Sequence, residues 1–183
     1  RVDAVQVENP WMLEYARNVN GGRNVDIRYA PPGIDATLFC PLPLRDLTGS
    51  PSILSVGRFE DPRKNIGLLV SAYALLPDAV RSRVRLVLAG SSAPPASFWA
   101  RADSLGVRDR VQYVASPSRQ ELIGLYQRAS VFALPSDEEG LGMVILEAMA
   151  CAVPVVSTRS GGPDGIITNG EDGFLSPLDD AAA

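Results

Sequence analysis

The stretch EEGLGMVILEAMA, residues 138–150, places two acidic residues and two glycines before an apolar helical run that itself contains Glu147. Glu139 falls in the loop ahead of the run. Gly140 and Gly142 lack a Cβ and let the backbone approach a ligand closely. The helix start behind them presents unpaired N–H groups and a positive dipole end, a ready anion site. Glu147 stands about one and a half turns into the helix. Carboxylates only accept hydrogen bonds, and one can take both hydroxyls of a vicinal diol. The combination suits a phosphate bonded to sugars, with one diol on each side. Either glutamate alone fits equally well a capped helix with Glu147 exposed or ion-paired.

A second group lies in GRFEDPRKN, residues 57–65. Arg58 and Lys64 stand on either side of an Asp61-Pro62 turn. A guanidinium and an ammonium there can compensate a diphosphate set among glutamates without a metal. Taken alone, the segment reads more readily as a solvated basic loop before a helix. A third group, STRSGGPDGIITNGEDGFLSP (157–177), offers backbone amides at Gly161 and Gly162, and an ordinary strand-to-helix turn has the same pattern. LAGSSAPP adds the hydroxyls of Ser91 and Ser92 and is not diagnostic. Trp11 and Trp99 read as core or interface residues. The chain has no histidine, which excludes a Ser-His-Asp triad within it. It contains no Asp-x-Asp motif and no Cys/His/Asp cluster, so no bound metal is expected.

These loops need elements to hold them. Short, continuous, β-branched runs at 52–57, 84–90, 110–115, 130–136, 153–158 and 173–177 predict parallel strands covered on both faces. Helical patterns fall between them. NIGLLVSAYALL (65–76) has Asn65 as N-cap, and ASFWARADSLG (96–106) has Gly106 as C-cap. SRQELIGLYQRA (118–129) opens on a capping box of Ser118 and Glu121, and GMVILEAMA spans 142–150. The alternation predicts an α/β fold: a Rossmann-like, doubly wound parallel sheet of about six strands, with ligands at the carboxyl ends of the strands.

Residues 1 to about 45 break this rhythm. VDAVQV predicts a strand, PWMLEYARNV a helix, and VDIRYAPPGIDATLFCPLP a strand followed by a Pro/Gly-rich crossing. Residues 1–45 are therefore expected to be the remnant of a preceding domain with its linker, and 46–183 the ligand-binding domain. The chain opens on Arg1 rather than Met and ends on LDDAAA without a cap, as expected of an excised segment. Its 183 residues and 46% hydrophobic content suit one globular domain with an attached piece of another. The net charge of −4 argues against a nucleic-acid partner, which needs a clustered basic face. No run reaches transmembrane length and no signal peptide is visible. Cys40 and Cys151 read as unpaired residues in a reducing compartment.

GRFEDPRKN, EEGLGMVILEAMACAVPVVST and GGPDGIITNGEDGFL, in this order, resemble the nucleotide-sugar-binding half of the family 4 retaining glycosyltransferases of the GT-B fold. The resemblance covers roughly residues 25–177 and includes PPGID, which is similar to the family's interdomain linker. The Glu-x7-Glu spacing of Glu139 and Glu147 is its most specific part. Two positions depart from the family pattern: GSSAPP lacks a second glycine, and Asp164 stands where glutamate is usual.

The resemblance implies roles by position. Glu139 faces the transferred sugar and stabilises its oxocarbenium character, and Glu147 holds the ribose diol. Arg58 and Lys64 grip the diphosphate as leaving group. Gly57, Gly140 and the backbone amides of Leu141, Gly142 and Met143 complete the donor site, and Tyr113-Val114-Ala115 lies near the base. The donor is expected to be a UDP- or GDP-linked sugar, with no cofactor and no metal. The partner is the N-terminal acceptor domain of the parent chain. The location is cytoplasmic, with peripheral membrane association of the parent left open. Another GT-B-type enzyme, a nucleotide-sugar epimerase or a phosphorylase, is the alternative in the same fold. A non-catalytic α/β binding domain is the alternative in another class. The isolated chain is expected to turn over little or nothing.

Overall fold

The run SILSV forms β3 (Ser52–Val56), the central strand of a six-stranded, all-parallel sheet. The computed structural model describes residues 3–23, 25–43 and 50–183. The predicted boundary at 45/46 lies outside the described residues.

Two short strands and a helix come first: β1 (Ala4–Val7), α1 (Pro10–Asn20) and β2 (Asp26–Tyr29), with β1 and β2 paired in parallel as a separate small sheet. After β3 follow α2 (Ile66–Leu75), α3 (Asp78–Arg81), β4 (Arg85–Gly90), α4 (Ala96–Ser104), β5 (Val111–Ala115), α5 (Arg119–Arg128), β6 (Val131–Leu134), α6 (Met143–Ala150), β7 (Val155–Thr158) and β8 (Phe174–Ser176). Every predicted strand and helix is present, within a few residues of its expected ends. The short α3 was not foreseen. Helix α4 stops at Ser104, two residues before Gly106, which takes φ +67° in the turn beyond.

The sheet order is β5-β4-β3-β6-β7-β8. The chain moves outward from β3 to β5, returns to pair β6 against β3, and then moves the other way. Between β3 and β6 the connections leave toward opposite edges, and a crevice opens above their carboxyl ends. The loops after these two strands are GRFEDPRKN and PSDEEGLG.

Both faces of the sheet are covered, which explains the unbroken apolar strands. On β4, Leu86 and Leu88 face a core shared with Val70 and Tyr73 of α2 and with Phe98 and Ala102 of α4. Val87 and Ala89 face the opposite core, with Tyr126 of α5 and Ile145 and Ala148 of α6. Leu54, Phe132 and Leu134 fill the middle of that second core. Full burial of such a side chain stabilises by about 1.5–3 kcal/mol. Phe39, from the Pro/Gly-rich crossing, packs into the same core and anchors the N-terminal segment to this layer.

Candidate functional site

Lys64 stands at the end of a single 3-10 turn, Pro62–Lys64. Asp61 caps this turn by accepting from the Arg63 backbone N–H. The same carboxylate accepts from Arg63 Nε and Nη2 at 3.1 and 2.8 Å. These hydrogen bonds pull the Asp61 pKa down to about 2. Asn65 takes φ +38° and caps α2 through its Oδ1, while its Nδ2 donates to Asp137 Oδ1 at 2.6 Å. The Asp137 N–H donates to the Arg63 carbonyl at 2.8 Å. The loops after β3 and β6 are thus laced together across the switch point.

Across that lacing Lys64 Nζ lies 2.5 Å from Glu139 Oε1. Ser136 Oγ donates to the same oxygen at 2.6 Å. The Lys64 stem passes beside Gly57. Gly57 is in turn pressed by the end of β4, because a Cβ at Gly90 would stand 1.9 Å from the Gly57 carbonyl oxygen.

Glu139 is held on its other side by the turn after β7. Its N–H donates to the Ser160 carbonyl, and its carbonyl accepts from the Gly162 N–H at 2.9 Å. Gly162 has no room for a side chain: a Cβ would lie 2.6 Å from the Leu141 Cα, C and O. Asp164 supports this turn, accepting from the Gly161 N–H and from Arg159, both at 3.1 Å. Gly162 therefore packs backbone on backbone.

Helix α6 begins behind this layer. Its N-cap is Gly142, with φ +87° and no side-chain cap. Among the described residues, the backbone N–H groups of Leu141, Gly142 and Met143 have no hydrogen-bond partner. They are the unpaired donors of a helix start, beside a lysine and two carboxylates. Glu147 is half-buried on α6 and accepts from Tyr126 OH at 2.7 Å. Burial raises its pKa, and the Tyr126 bond and the Arg119 charge oppose that rise.

The structure brings Gly57, Lys64, Glu139 and the start of α6 together. Arg58 is nearby, but its side chain is 66% exposed and 3.9 Å from Asp61. Val114 stands apart, on the edge strand β5 in register with Ala89. Its neighbour Tyr113 donates from its hydroxyl to the Gly90 carbonyl at 2.8 Å. Among the described residues no group of three or more His, Cys, Asp or Glu side chains is placed to hold a metal.

Three participants escaped sequence reading. Ser136 shares the Glu139 oxygen, and Tyr126 holds Glu147. Fully buried Asn9 caps α1 through its Oδ1 and donates from Nδ2 to the Gly140 carbonyl at 2.5 Å. Beside it, Pro10 and Trp11 sit where side chains at Gly165 and Gly161 would stand. The N-terminal segment is thereby seated on the glycine loops. Ser136 lies three residues before Glu139, and Asn9 three before Met12, whose N–H it caps; the Tyr126–Glu147 and Asn9–Gly140 bonds span long separations, which no local pattern announces.

Known proteins resemble this chain in sequence and in fold. The family model described as "Glycosyl transferases group 1" matches residues 45–183. A D-inositol 3-phosphate glycosyltransferase of Mycolicibacterium smegmatis is 35% identical over 156 residues, covering 79% of this chain and 35% of its own length. The chain thus spans about a third of the length of the curated relatives it matches. Sucrose-phosphate synthase from Thermosynechococcus elongatus superposes with a TM-score of 0.82 at 32% identity, over 99% of this chain and 47% of its own. Alr3699/HepE of Anabaena, solved with UDP and glucose, superposes with a TM-score of 0.83 at 24% identity, over 98% of this chain and 51% of its own. At that identity the last likeness speaks to the fold. The sheet is that of one Rossmann-like half of a GT-B glycosyltransferase.

Proposed function

The chain belongs to the glycosyl transferases of group 1, and from that premise we propose that it supplies the donor site of a retaining, metal-independent hexosyltransferase of family 4. The donor is a nucleoside-diphosphate sugar carrying uridine or guanosine. One observation carries this reading: Lys64 and Glu139 meet above the switch point, beside a helix start with three unpaired N–H groups.

Departure of a nucleoside diphosphate leaves negative charge on the β-phosphate and positive charge on the sugar ring. Lys64 and Arg58, with the amides of Leu141, Gly142 and Met143, answer the first charge and do the work a metal would otherwise do. Glu139 answers the second and takes hydroxyls of the transferred sugar. Lys64 and Glu139 neutralise one another, and a bound donor draws Lys64 onto its diphosphate. Glu147 takes the ribose hydroxyls. Val114, at the end of β5, lies toward the base. Residues 1–45 are the remnant of a preceding acceptor domain with its linker, and that domain supplies the other wall of the cleft. The unpaired Cys40 and Cys151 support a reducing, cytoplasmic location. Among the described residues no helix is long and apolar enough to cross a membrane.

The test uses a form of the protein that carries the acceptor domain. Glu139→Ala should lower turnover by about a hundredfold or more, with the fold intact by circular dichroism. Undiminished turnover would remove Glu139 from the chemistry. NMR of the product should show the anomeric configuration of the donor, and an inverted product would contradict retention.

A further inference from the structure

Tyr126 lies on α5 with no exposed surface, and its hydroxyl donates to Glu147 Oε2 at 2.7 Å. Its ring is wedged between Phe39 of the crossing segment and Phe132 of β6, with centroids 6.0 and 5.7 Å away. A ring packed this way has one orientation, and the hydroxyl it carries has one place to point. Burial pushes the phenol well above its ordinary pKa, so it stays protonated and remains a donor. Among the described residues no other hydrogen bond reaches the Glu147 side chain. One carboxylate oxygen is therefore engaged on the core side, and the other is left over.

We propose that Tyr126 is the positioning residue of Glu147: by holding Oε2 it fixes the plane in which the carboxylate meets the hydroxyls of a bound nucleotide. This rests on the donor-site reading of Glu147. It also refines that reading. The diol meets a carboxylate of fixed orientation, in which Oε2 already accepts from Tyr126 and keeps one lone pair while Oε1 keeps both. The carboxylate cannot rotate to follow a displaced ribose, so the site selects the position of the diol. Phe39 makes the crossing segment part of the support.

A tyrosine that merely fills the core would also be buried with its hydroxyl satisfied. The two roles separate in the protonation of Glu147. The charged and titratable groups that face it are Tyr126 and Arg119 from α5 and Cys151 from the end of α6. Arg119 and the Tyr126 hydrogen bond favour the carboxylate, whereas burial disfavours it. Tyr126→Phe keeps the ring and removes only the hydrogen bond, so Glu147 should hold its proton to higher pH.

The experiment compares the chain with Tyr126→Phe, Glu147→Ala and the double variant. Calorimetric titrations with UDP, GDP and ADP would be repeated across the acid range, and the Glu147 carboxyl titration would be followed by NMR without ligand. Tyr126→Phe should weaken binding of the preferred nucleotide about tenfold at neutral pH. It should also move the acid limb of the binding profile, and the ligand-free Glu147 titration, to higher pH. In the Glu147→Ala background it should cost no further affinity. Wild-type binding by Tyr126→Phe alongside weakened binding by Glu147→Ala would overturn the positioning role and leave the donor site standing. Wild-type binding by Glu147→Ala would remove the donor-site role of Glu147 and the proposal with it. An unmoved Glu147 titration in Tyr126→Phe would overturn the proposal independently of any nucleotide.

Discussion

Lys64 and Glu139, 75 residues apart in the chain, close on one another at 2.5 Å over the topological switch point of the sheet. Their side chains are only 18% and 11% exposed, and Ser136 shares the oxygen between them. A pair this shielded is screened less by salt than a surface pair. It joins the loop after β3 to the loop after β6, so the site is braced before any ligand arrives.

Lys64→Met keeps most of the stem beside Gly57 and removes the charge. Glu139 is then left largely buried, with Ser136 as its remaining side-chain donor among the described residues. Unfolding by denaturant should show a loss of about 1–3 kcal/mol. Adding Glu139→Gln should restore part of that loss, because the carboxylate no longer needs compensation. Equal stability of wild type and Lys64→Met would show that the pair does not brace the loops.

Gly162→Ala inserts a methyl group against backbone. The new Cβ would meet the Leu141 Cα, C and O at 2.6 Å, and backbone cannot rotate away as a flexible side chain can. Expected is a destabilisation of about 1–3 kcal/mol, as for overpacking generally, with the start of α6 displaced and nucleotide affinity reduced. Gly106→Ala, which meets nothing within 4 Å but takes φ +67°, is the comparison that isolates backbone strain. A Gly162→Ala variant as stable as wild type, with unaltered affinity, would contradict the close packing of these two loops.

Glu147→Gln should stabilise the fold while weakening nucleotide binding. Burial raises the Glu147 pKa in the folded state. Between the ordinary glutamate value and that raised value the folded chain holds more proton than the unfolded chain, so stability falls as pH rises through this window. Above it the full cost of the charge is present. The amide introduced by Glu147→Gln carries no charge, and its oxygen can still accept from Tyr126. Thermal unfolding should therefore show a higher Tm for the variant at neutral pH, with the difference shrinking as the pH falls through the raised Glu147 pKa and the side chain takes up its proton. A lower Tm for the variant at neutral pH would mean that the charge is well solvated or better paired than the geometry indicates.

Asn9→Ala removes two things at once, the cap of α1 and the tether to Gly140. Loss of the cap alone costs about 0.5–2 kcal/mol. Hydrogen exchange should rise both in α1 and in the loop at 139–142. A rise confined to α1 would show that the tether contributes nothing to the loop.

Much of this architecture is legible in the sequence because its signals are local. The strands of the main sheet are buried on both faces, so their apolar runs have no polar gaps. The Ser118–Glu121 capping box and the Asn65 cap act across three residues and are written into the chain where they act. The site is legible by type rather than by partnership. Lys64 and Glu139 could be picked out as charges at strand ends, but one was expected on a phosphate and the other on a sugar. That they pair with each other depends on β3 and β6 being neighbours. The Tyr126–Glu147 bond, the Asn9–Gly140 tether and the fit of Gly162 against Leu141 depend likewise on packing between distant segments. Helix α3 is a single short turn with no room for a periodic pattern.

The most direct measurement is calorimetric titration of this chain with UDP, GDP and ADP, repeated on Arg58→Ala and Glu147→Ala and in the presence of a chelator. A donor site predicts that one nucleotide binds, that both substitutions weaken it, and that the chelator changes nothing. Nucleotide binding that is indifferent to both substitutions, or that disappears with the chelator, would contradict a metal-independent donor site built on Arg58 and Glu147.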